Sequence, residues 1–260
     1  MSDNGFFRFT GKLESMDCLV EDYVYDDLNT TSNQLIYCGI NNLFGEVMWF
    51  YPTSTSNVVD RSVIYSYLDS TPQRPIWYTN ASTILKRTTW ADSAVFGLPH
   101  ASEYDAGTDT SFDVYGNTDG ISYYFEHETG VNYIKNATTY AVPANITSGD
   151  YDITQKIVRG AATSLADLRG DGENIMRVSR IIPDYITQQG TTIIQLDLRD
   201  YPNDTAASSS LGPFSTTSST KKIDTRARAR AIALTLSCTA IDSNWKLGTF
   251  RLDIQAGGRR

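Results

Sequence analysis

The chain has 260 residues, of which 40% are hydrophobic and 12% aromatic. This composition excludes a largely disordered protein and is sufficient for a sizeable core in one or two domains. The formal net charge of −8 disfavours a protein that coats nucleic acid over its whole surface, because such proteins are basic overall, but it permits a local basic site.

The charge is distributed unevenly along the chain. Residues 1–147 carry 7 Lys/Arg and 18 Asp/Glu, whereas residues 148–260 carry 15 and 12. The first region therefore has a net charge of −11 and the second a net charge of +3. We expect two regions with different surroundings, whose opposite charges allow attraction between subunits.

The cysteines and the N-terminal segment bear on the cellular compartment. Cys18, Cys38 and Cys238 are far apart and odd in number, which favours reduced thiols acting as small apolar residues. MSDNGFFRF lacks the basic start and apolar core of a signal peptide, and no apolar run approaches the roughly 20 residues that span a bilayer. We therefore expect a soluble chain synthesised in a cytoplasm.

Short strands are predicted throughout the first region, since Tyr, Thr and Gly are abundant. GFFRF predicts an aromatic strand, while ESMDCLVEDYVYDDL is ambiguous between strand and helix. LIYCGINNLFGEVMWFYP predicts two strands around a polar turn, and further strands are predicted in DRSVIYSYLD, PIWYT, ILKRTTW and GISYYFEHETGVNYI, the last with a hairpin turn at residues 128–130. We predict an acidic β-propeller-like or meander region over residues 1–147.

Longer strands with good alternation are predicted in the second region, residues 148–260. They are IMRVSRIIPDY, TTIIQLDLRDYP, RAIALTLSCTA and WKLGTFRLDIQ. A Ser/Thr-rich segment over residues 203–222 separates the second from the third and is predicted to be a long loop. Four long strands with one long connection suit an antiparallel β-sandwich. The predicted class is all-β, with propeller-like blades followed by a sandwich.

Catalytic signals are weak. Neither His100 nor His127 has a companion at metal-ligand spacing, and the chain contains no GxSxG, P-loop or GxGxxG motif. Carboxylate pairs suited to a glycosidase exist, but 30 acidic residues make chance pairs inevitable, so an acidic solvated face is the better interpretation. We predict no enzymatic activity, no catalytic residues and no cofactor. The pairs are Asp26 with Asp27, Glu126 with Glu128, and Asp167 with Asp171.

Two further kinds of binding site are less favoured than structural roles. DLRGDGEN (167–174) and DAGTDTSFD (105–113) offer oxygen ligands for calcium but lack EF-hand spacing, so tight turns are favoured and no metal site is predicted. Sugar stacking is conceivable for four tryptophans, although apolar runs around the first three favour core positions. They are Trp49, Trp77, Trp90 and Trp245.

An arginine appears at every second position in TRARARAIALTLS, residues 225–237. In an extended chain Arg226, Arg228 and Arg230 lie on one face, and strict alternation continues that face into Ile232 and Leu234. Either a bulge switches the faces, or the strand extends beyond its own core so that the arginines meet another surface. A subunit interface, an exposed strand end and phosphate contact are all compatible with this pattern.

An ordered series of motifs resembles one known family. NLFGEVMWFYP, DRSVIYSYLD, HETG, SRIIPDY, LRDYPN, GPF, RARARAIAL and NWKLGTFRLDIQAGGRR are similar to the C-terminal part of the tail nozzle or tail-tube proteins of short-tailed bacteriophages, often labelled packaged-DNA stabilisation proteins. The resemblance covers almost the whole chain. Members are typically longer, and GFFRFTGKLESMDC resembles a point midway along them, which leaves open whether this is a short version or a fragment.

The resemblance implies a structural virion protein in the phage tail, made in the host bacterial cytoplasm. It implies a homo-oligomeric ring of six copies below the portal and adaptor, continuing a channel through which double-stranded DNA passes without sequence-specific binding. An acidic channel wall would let DNA slide. A ring needs a heterologous interface, for which Arg226, Arg228 and Arg230 are candidates. The alternatives are a carbohydrate- or receptor-binding β-protein of a tail fibre or surface lectin type and, less favoured, a glycoside hydrolase.

Overall fold

The computed structural model describes residues 1–2, 5–80, 86–105, 121–153, 174–201, 204 and 206–259. Within these ranges the protein is built almost entirely of antiparallel strands, which confirms the all-β class. The chain divides into two compact units, Met1–Thr129 and Gly130–Arg260, here called the N-terminal and C-terminal units. The first carries 6 Lys/Arg and 18 Asp/Glu and the second 16 and 12, giving net charges of −12 and +4.

The N-terminal unit contains a hairpin, two short helical segments and two antiparallel sheets. Strands β1 and β2 form the hairpin, β3–β6 form a four-stranded sheet in chain order, and β7–β9 form a three-stranded sheet. The elements are β1 (Phe6–Phe9), β2 (Leu13–Met16), α1 (Glu21–Tyr25), a 3-10 segment (Thr30–Leu35), β3 (Tyr37–Asn41), β4 (Glu46–Tyr51), β5 (Arg61–Thr71), β6 (Arg74–Asn80), β7 (Thr89–Ala91), β8 (His100–Asp105) and β9 (Ile121–Glu126).

The central strands of the four-stranded sheet are covered on both faces. Tyr51 and Val63 belong to an apolar cluster with Phe6, whereas Met48 and Ile64 belong to a second cluster. Because side chains alternate along a strand, β4 and β5 supply both clusters. This explains why VMWFY is apolar at every position instead of alternating with polar residues.

The C-terminal unit is also antiparallel. It contains a four-stranded sheet in the order β12-β18-β15-β16, a three-stranded sheet in the order β17-β13-β20, and the pairs β10-β11 and β14-β19. The elements are β10 (Asn132–Lys135), β11 (Thr138–Ala141), β12 (Ala144–Thr147), β13 (Asn174–Ile182), β14 (Tyr185–Gln189), β15 (Thr192–Arg199), β16 (Ser209–Thr216), β17 (Ile223–Ala229), β18 (Ala231–Cys238), β19 (Asn244–Leu247) and β20 (Arg251–Arg259).

One apolar cluster joins the two larger sheets of the C-terminal unit. It is formed by buried side chains of β13 and β17 from one sheet and of β15 and β18 from the other. In β15 every second side chain is buried, as the alternation in TTIIQLDLR predicts. The members are Met176, Val178, Ile181, Ile194, Leu196, Leu198, Ala227, Ala229, Ile232, Leu234 and Leu236.

The division between the units differs from the sequence-based boundary at residue 147. Strand β12 pairs with β18, and β10 pairs with β11, so both belong with the C-terminal unit. The predicted hairpin at residues 128–130 is also wrong. Strand β9 pairs with β8 rather than β10, and the HETG segment connects the two units instead of turning within one.

The predicted loop over residues 203–222 contains strand β16, and that prediction is therefore wrong for residues 209–216. Strand β16 is an edge strand that pairs with β15, where Ser and Thr are compatible with a half-exposed ladder. Gly212 and Pro213 lie where the register shifts, and Gly212 has φ of 123°. A Cβ at Gly212 would lie 3.0 Å from the Ile194 carbonyl oxygen, so this bulge requires glycine.

Candidate functional site

Strand β17 displays Arg226 and Arg228 to solvent while burying Thr225, Ala227 and Ala229. The alternation predicted from the sequence is thus confirmed for two of the three arginines. Small alanine side chains place this strand close to the apolar cluster, so the arginines project from the opposite face of the sheet.

The arginine row does not continue into the apolar row of β18, as strict alternation alone would place it. Between β17 and β18 the chain leaves the three-stranded sheet and enters the four-stranded one. This change of sheet turns Ala227, Ala229 and the alternating apolar residues of β18 towards the same cluster. Of the two readings left open by the sequence, a local break that switches the faces agrees with the structure.

Arg230 lies at that break and not on the exposed face. Its backbone N–H donates to the Arg199 carbonyl oxygen at 3.0 Å, and its side chain is half-buried. It lines a cavity of about 240 Å³ together with five other residues, namely Ile175, Asp200, Tyr201, Arg228 and Ala229. Arg230 therefore lies outside the exposed row of Arg226 and Arg228, although it lines the same cavity as Arg228.

A fourth arginine, Arg177, joins the exposed pair. It lies on β13 directly opposite Arg228 on β17 and is also exposed. Side chains in such a cross-strand pair have Cβ atoms about 4.5–5.5 Å apart. The alternation in IMRVSR marks Arg177 as outward-facing, but only the strand register reveals that it faces another arginine. We call Arg177, Arg226 and Arg228 the basic face.

Neighbouring charges on the same sheet are paired, whereas those of the basic face are not. Arg180 Nε donates to Asp224 Oδ1 at 2.9 Å, and Arg180 Nη1 donates to Asp253 Oδ2 at 3.4 Å. The hydrogen bond from Arg180, followed by that from Lys222, lowers the pKa of Asp224. Within the described part of the chain, no carboxylate forms an ion pair with any arginine of the basic face.

A buried ion pair lies in the N-terminal unit. Arg87 Nη1 donates to Glu103 Oε2 at 2.9 Å, and the two side chains are only 4% and 2% exposed. Arg87 Nε also donates to His127 Nε2 at 2.8 Å, and the guanidinium lies 4.2 Å from the centroid of the Phe125 ring. This network joins β8 and β9 to the segment before β7 and has the form of a structural core contact.

His127 is held neutral by this environment. Burial, followed by the charge of Arg87, lowers the pKa of His127 to about 4. The ring therefore acts as a hydrogen-bond acceptor for Arg87. These contacts give His127 a structural role, and the hairpin turn predicted at the adjoining residues 128–130 does not form.

A pair of carboxyl groups lies elsewhere in the N-terminal unit. Asn41 Nδ2 donates to Glu46 Oε2 at 3.4 Å and to Glu128 Oε1 at 3.1 Å, and the Tyr78 hydroxyl also donates to Glu46. Burial, followed by the charge of Glu128, raises the pKa of Glu46 to about 7. Burial raises the pKa of Glu128 as well. The sequence pairs did not include this one, because its members are far apart in the chain.

Aromatic side chains cluster on the exposed side of the β7-β8-β9 sheet. His100 stacks on Tyr124 with centroids 5.3 Å apart, and Phe96 meets the His100 ring edge-on at 4.9 Å. Tyr124 is 67% exposed. The tryptophans, in contrast, all pack against apolar clusters, and Trp77 and Trp90 donate their indole N–H groups to backbone carbonyls.

The other sequence candidates are not brought into a site. Asp27 accepts a hydrogen bond from Ser54 at 2.8 Å. The possible calcium loops lie outside the described residues, except for Asp105 and Asn174 at their ends. The carboxylate pair Asp167 and Asp171 also lies outside the described residues. Among the described residues, no group of three or more His, Cys, Asp or Glu is placed to hold a metal ion.

No protein-family model matches the chain, and no curated protein sequence matches it either. None of the described helices is long and apolar enough to cross a membrane.

Proposed function

We propose that the chain is a non-enzymatic structural subunit of a short-tailed phage tail. In this proposal it forms part of an oligomeric nozzle or adaptor ring that continues the DNA channel below the portal and helps retain and deliver packaged DNA. The ordered series of motifs from NLFGEVMWFYP to RLDIQAGGRR supports the tail assignment. The observation that carries the assembly role is the basic face on the outer side of the β17-β13-β20 sheet.

The positive charge of the basic face is suited to binding an anionic partner. Like charges directly opposite each other across two strands destabilise an isolated sheet. Arg177 and Arg228 are such a pair, and Arg226 adds a third positive charge on the same face. An anionic surface that binds here removes the repulsion and forms charge-assisted hydrogen bonds, so binding is favoured over the isolated state.

The negative charge of the N-terminal unit is suited to the wall of a channel that carries DNA. Its net charge of −12 repels the duplex and so permits passage without adhesion. In the same proposal, its antiparallel sheets are propeller-like blades and the C-terminal unit is a β-sandwich. The apolar cluster shared by the two larger sheets of that unit supports the sandwich assignment.

Solution mass and particle averaging test the proposal. We expect the purified chain, alone or with the portal complex, to form closed rings of six copies, and a persistent monomer in both conditions would refute an assembly role. Replacing Arg177, Arg226 and Arg228 with Gln should weaken assembly while leaving the subunit folded. The matched control removes three positive charges from exposed positions elsewhere, by Gln substitution at Arg74, Lys221 and Lys246.

A receptor-binding role remains a second candidate because of the exposed aromatic cluster. Tyr124 and Phe96 are 67% and 55% exposed, and both contact the half-buried ring of His100. Aromatic faces on a sheet surface are suited to stacking on sugar rings. A glycan array with the wild-type chain and with Tyr124→Ala tests this role, which requires binding that the substitution removes.

A further inference from the structure

An acidic segment of the N-terminal unit complements the basic face. Residues 13–60 contain eight Asp/Glu and no Lys/Arg. Three of these acids, Asp17, Asp22 and Asp26, are exposed. None of the three forms an ion pair with a described Lys or Arg. We call Asp17, Asp22 and Asp26 the acidic segment.

The acidic segment is held in a fixed geometry. Helix α1 buries Val24 completely, and the Tyr25 hydroxyl donates to the Ser2 and Gly5 carbonyl oxygens at 2.7 and 3.0 Å. Asp26 retains helical backbone angles, and its N–H donates to the Asp22 carbonyl oxygen at 2.9 Å. The two carboxylates are therefore one helical turn apart on an anchored helix, so little conformational entropy is lost when a partner binds.

The spacing of these carboxylates matches that of the arginines. Helical residues four apart have Cβ atoms about 5–6 Å apart. The cross-strand pair Arg177 and Arg228 has a Cβ separation of about 4.5–5.5 Å. Asp22 on α1 and Asp26 at its C-terminal cap can thus meet two guanidinium groups at once, and Asp17 adds a third negative charge to the segment. The numbers of unpaired charges on the two surfaces are equal.

Apolar side chains next to the acids add to the same surface. Leu19 is 85% exposed and Tyr23 is 48% exposed. Tyr201, next to Arg228 in the cavity of about 240 Å³, is also exposed. Burying such side chains beside ion pairs excludes water and strengthens the charged contacts.

We propose that the partner of the basic face is the acidic segment of a second copy of this chain. This inference rests on the proposed assembly function and specifies its interface. Because the two surfaces are different, the contact is heterologous, and its repetition closes a ring when the rotation between copies permits. The phosphate backbone of DNA is the competing occupant of the basic face.

Charge reversal on each surface, separately and together, tests the pairing. One variant carries Arg177→Glu, Arg226→Glu and Arg228→Glu, and the other carries Asp17→Lys, Asp22→Lys and Asp26→Lys. Each variant alone brings like charges together at every interface, so we expect assembly to weaken at least about tenfold. Mixing the two variants, or combining all six substitutions in one chain, restores opposite charges and should restore assembly.

Controls separate loss of pairing from loss of folding. Circular dichroism of each variant establishes that the subunits are folded, and the neutral set Asp17→Asn, Asp22→Asn and Asp26→Asn avoids placing lysines near the start of a helix. Glu126→Lys changes an exposed acid outside the segment and should leave assembly unchanged. Wild-type assembly should weaken as salt increases, because exposed ion pairs are screened.

Three outcomes contradict parts of the proposal in different ways. If only the arginine variants lose assembly, the basic face is an interface but the acidic segment is not its partner. If assembly is unchanged and binding of a double-stranded DNA oligonucleotide falls instead, phosphate occupies the basic face. If the wild-type chain does not assemble under any condition, the proposed function itself fails.

Discussion

The N-terminal and C-terminal units place their charged groups in opposite ways. The N-terminal unit contains a buried ion pair between Arg87 and Glu103, a carboxyl pair formed by the half-buried Glu46 and the exposed Glu128, and two small apolar clusters. The C-terminal unit has one large apolar cluster and leaves Arg177, Arg226 and Arg228 exposed. The buried ion pair of the first unit is thus coupled to folding, whereas the three arginines of the basic face in the second unit are exposed and form no ion pair with a described carboxylate.

The largest effect should come from breaking the ion pair of the N-terminal unit. Glu103→Ala removes from a buried site the carboxylate that accepts from Arg87 Nη1 at 2.9 Å, so we expect a loss of about 3–5 kcal/mol in the free energy of unfolding. Chemical denaturation with hydrogen exchange on β8 and β9 measures it. The double variant Arg87→Met with Glu103→Leu should recover most of the loss. A loss no greater than that of the exposed control Glu126→Ala would contradict a folding role for the pair.

Creating a cavity in the apolar cluster of the C-terminal unit should reduce stability somewhat less, and this reduction should not depend on pH. Leu196 is completely buried between the two sheets. Leu196→Ala should reduce the free energy of unfolding by about 2–5 kcal/mol, since it removes apolar contacts and leaves a void. The exposed control Leu19→Ala should stay within about 0.5 kcal/mol of the wild type. If the loss caused by Leu196→Ala varied strongly between pH 5 and pH 8, the two units would not differ in the pH dependence of their stability.

The carboxyl pair should make the stability of the N-terminal unit depend on pH. The pKa of Glu46 is about 7 in the folded state and 4.5 as its ordinary value, so the folded unit binds more protons between these values. Its free energy of unfolding therefore falls as pH rises through that window. Glu46→Gln should remove the contribution of Glu46 to this dependence and stabilise the unit at pH 8 by about 1–2 kcal/mol.

Thermal unfolding across pH 4–8 checks this prediction, with Glu126→Gln as the control. His127 has the opposite effect, because its lowered pKa of about 4 means that stability is lost as pH falls from its ordinary pKa of 6.5. The Glu46→Gln variant should therefore show the loss at low pH, together with only the decline at rising pH that the raised pKa of Glu128 produces. An unchanged pH profile would mean that Glu46 is not the group responsible.

The smallest effect concerns the basic face of the isolated subunit. Arg228→Gln removes one member of a like-charge cross-strand pair, so the C-terminal unit should gain about 0.2–1 kcal/mol in free energy of unfolding at low salt. Arg251→Gln, on the same sheet but opposite Ile182, is the matched control. The gain should disappear as salt approaches about 1 M, where screening is nearly complete. A loss of stability would show that Arg228 has a stabilising role in the monomer.

Local patterns were sufficient to predict the all-β class and the long strands of the C-terminal unit. The alternation in TTIIQLDLR and the outward position of Arg226 and Arg228 are set by the period of a strand. Strand pairing, in contrast, depends on contacts between distant segments. That is why the sequence did not show Arg177 opposite Arg228, or the link from β12 to β18 that moves the boundary to Thr129.

The predictions from the sequence that differ from the structure do so for specific physical reasons. Ser and Thr in residues 209–216 were assigned to a loop by their polarity, yet an edge strand exposes one side to solvent and accommodates them. Glu46 and Glu128 could not be recognised as a pair because their proximity is produced by Asn41 and the packing of two sheets. Strict alternation places Arg230 with Arg226 and Arg228, because the pattern of residues does not reveal where the chain passes from one sheet to the other.

That change of sheet has a mechanical consequence. Strands β17 and β18 are consecutive in the chain, but each is hydrogen-bonded within a different sheet. A pulling force applied at Arg226 or Arg228 is transmitted through the covalent backbone into β18, an inner strand paired on both sides. In the proposed ring, tension between adjoining copies would therefore reach β12 and β15 through β18 as well as β13 through β17, so that the edge strand β17 would not bear it alone.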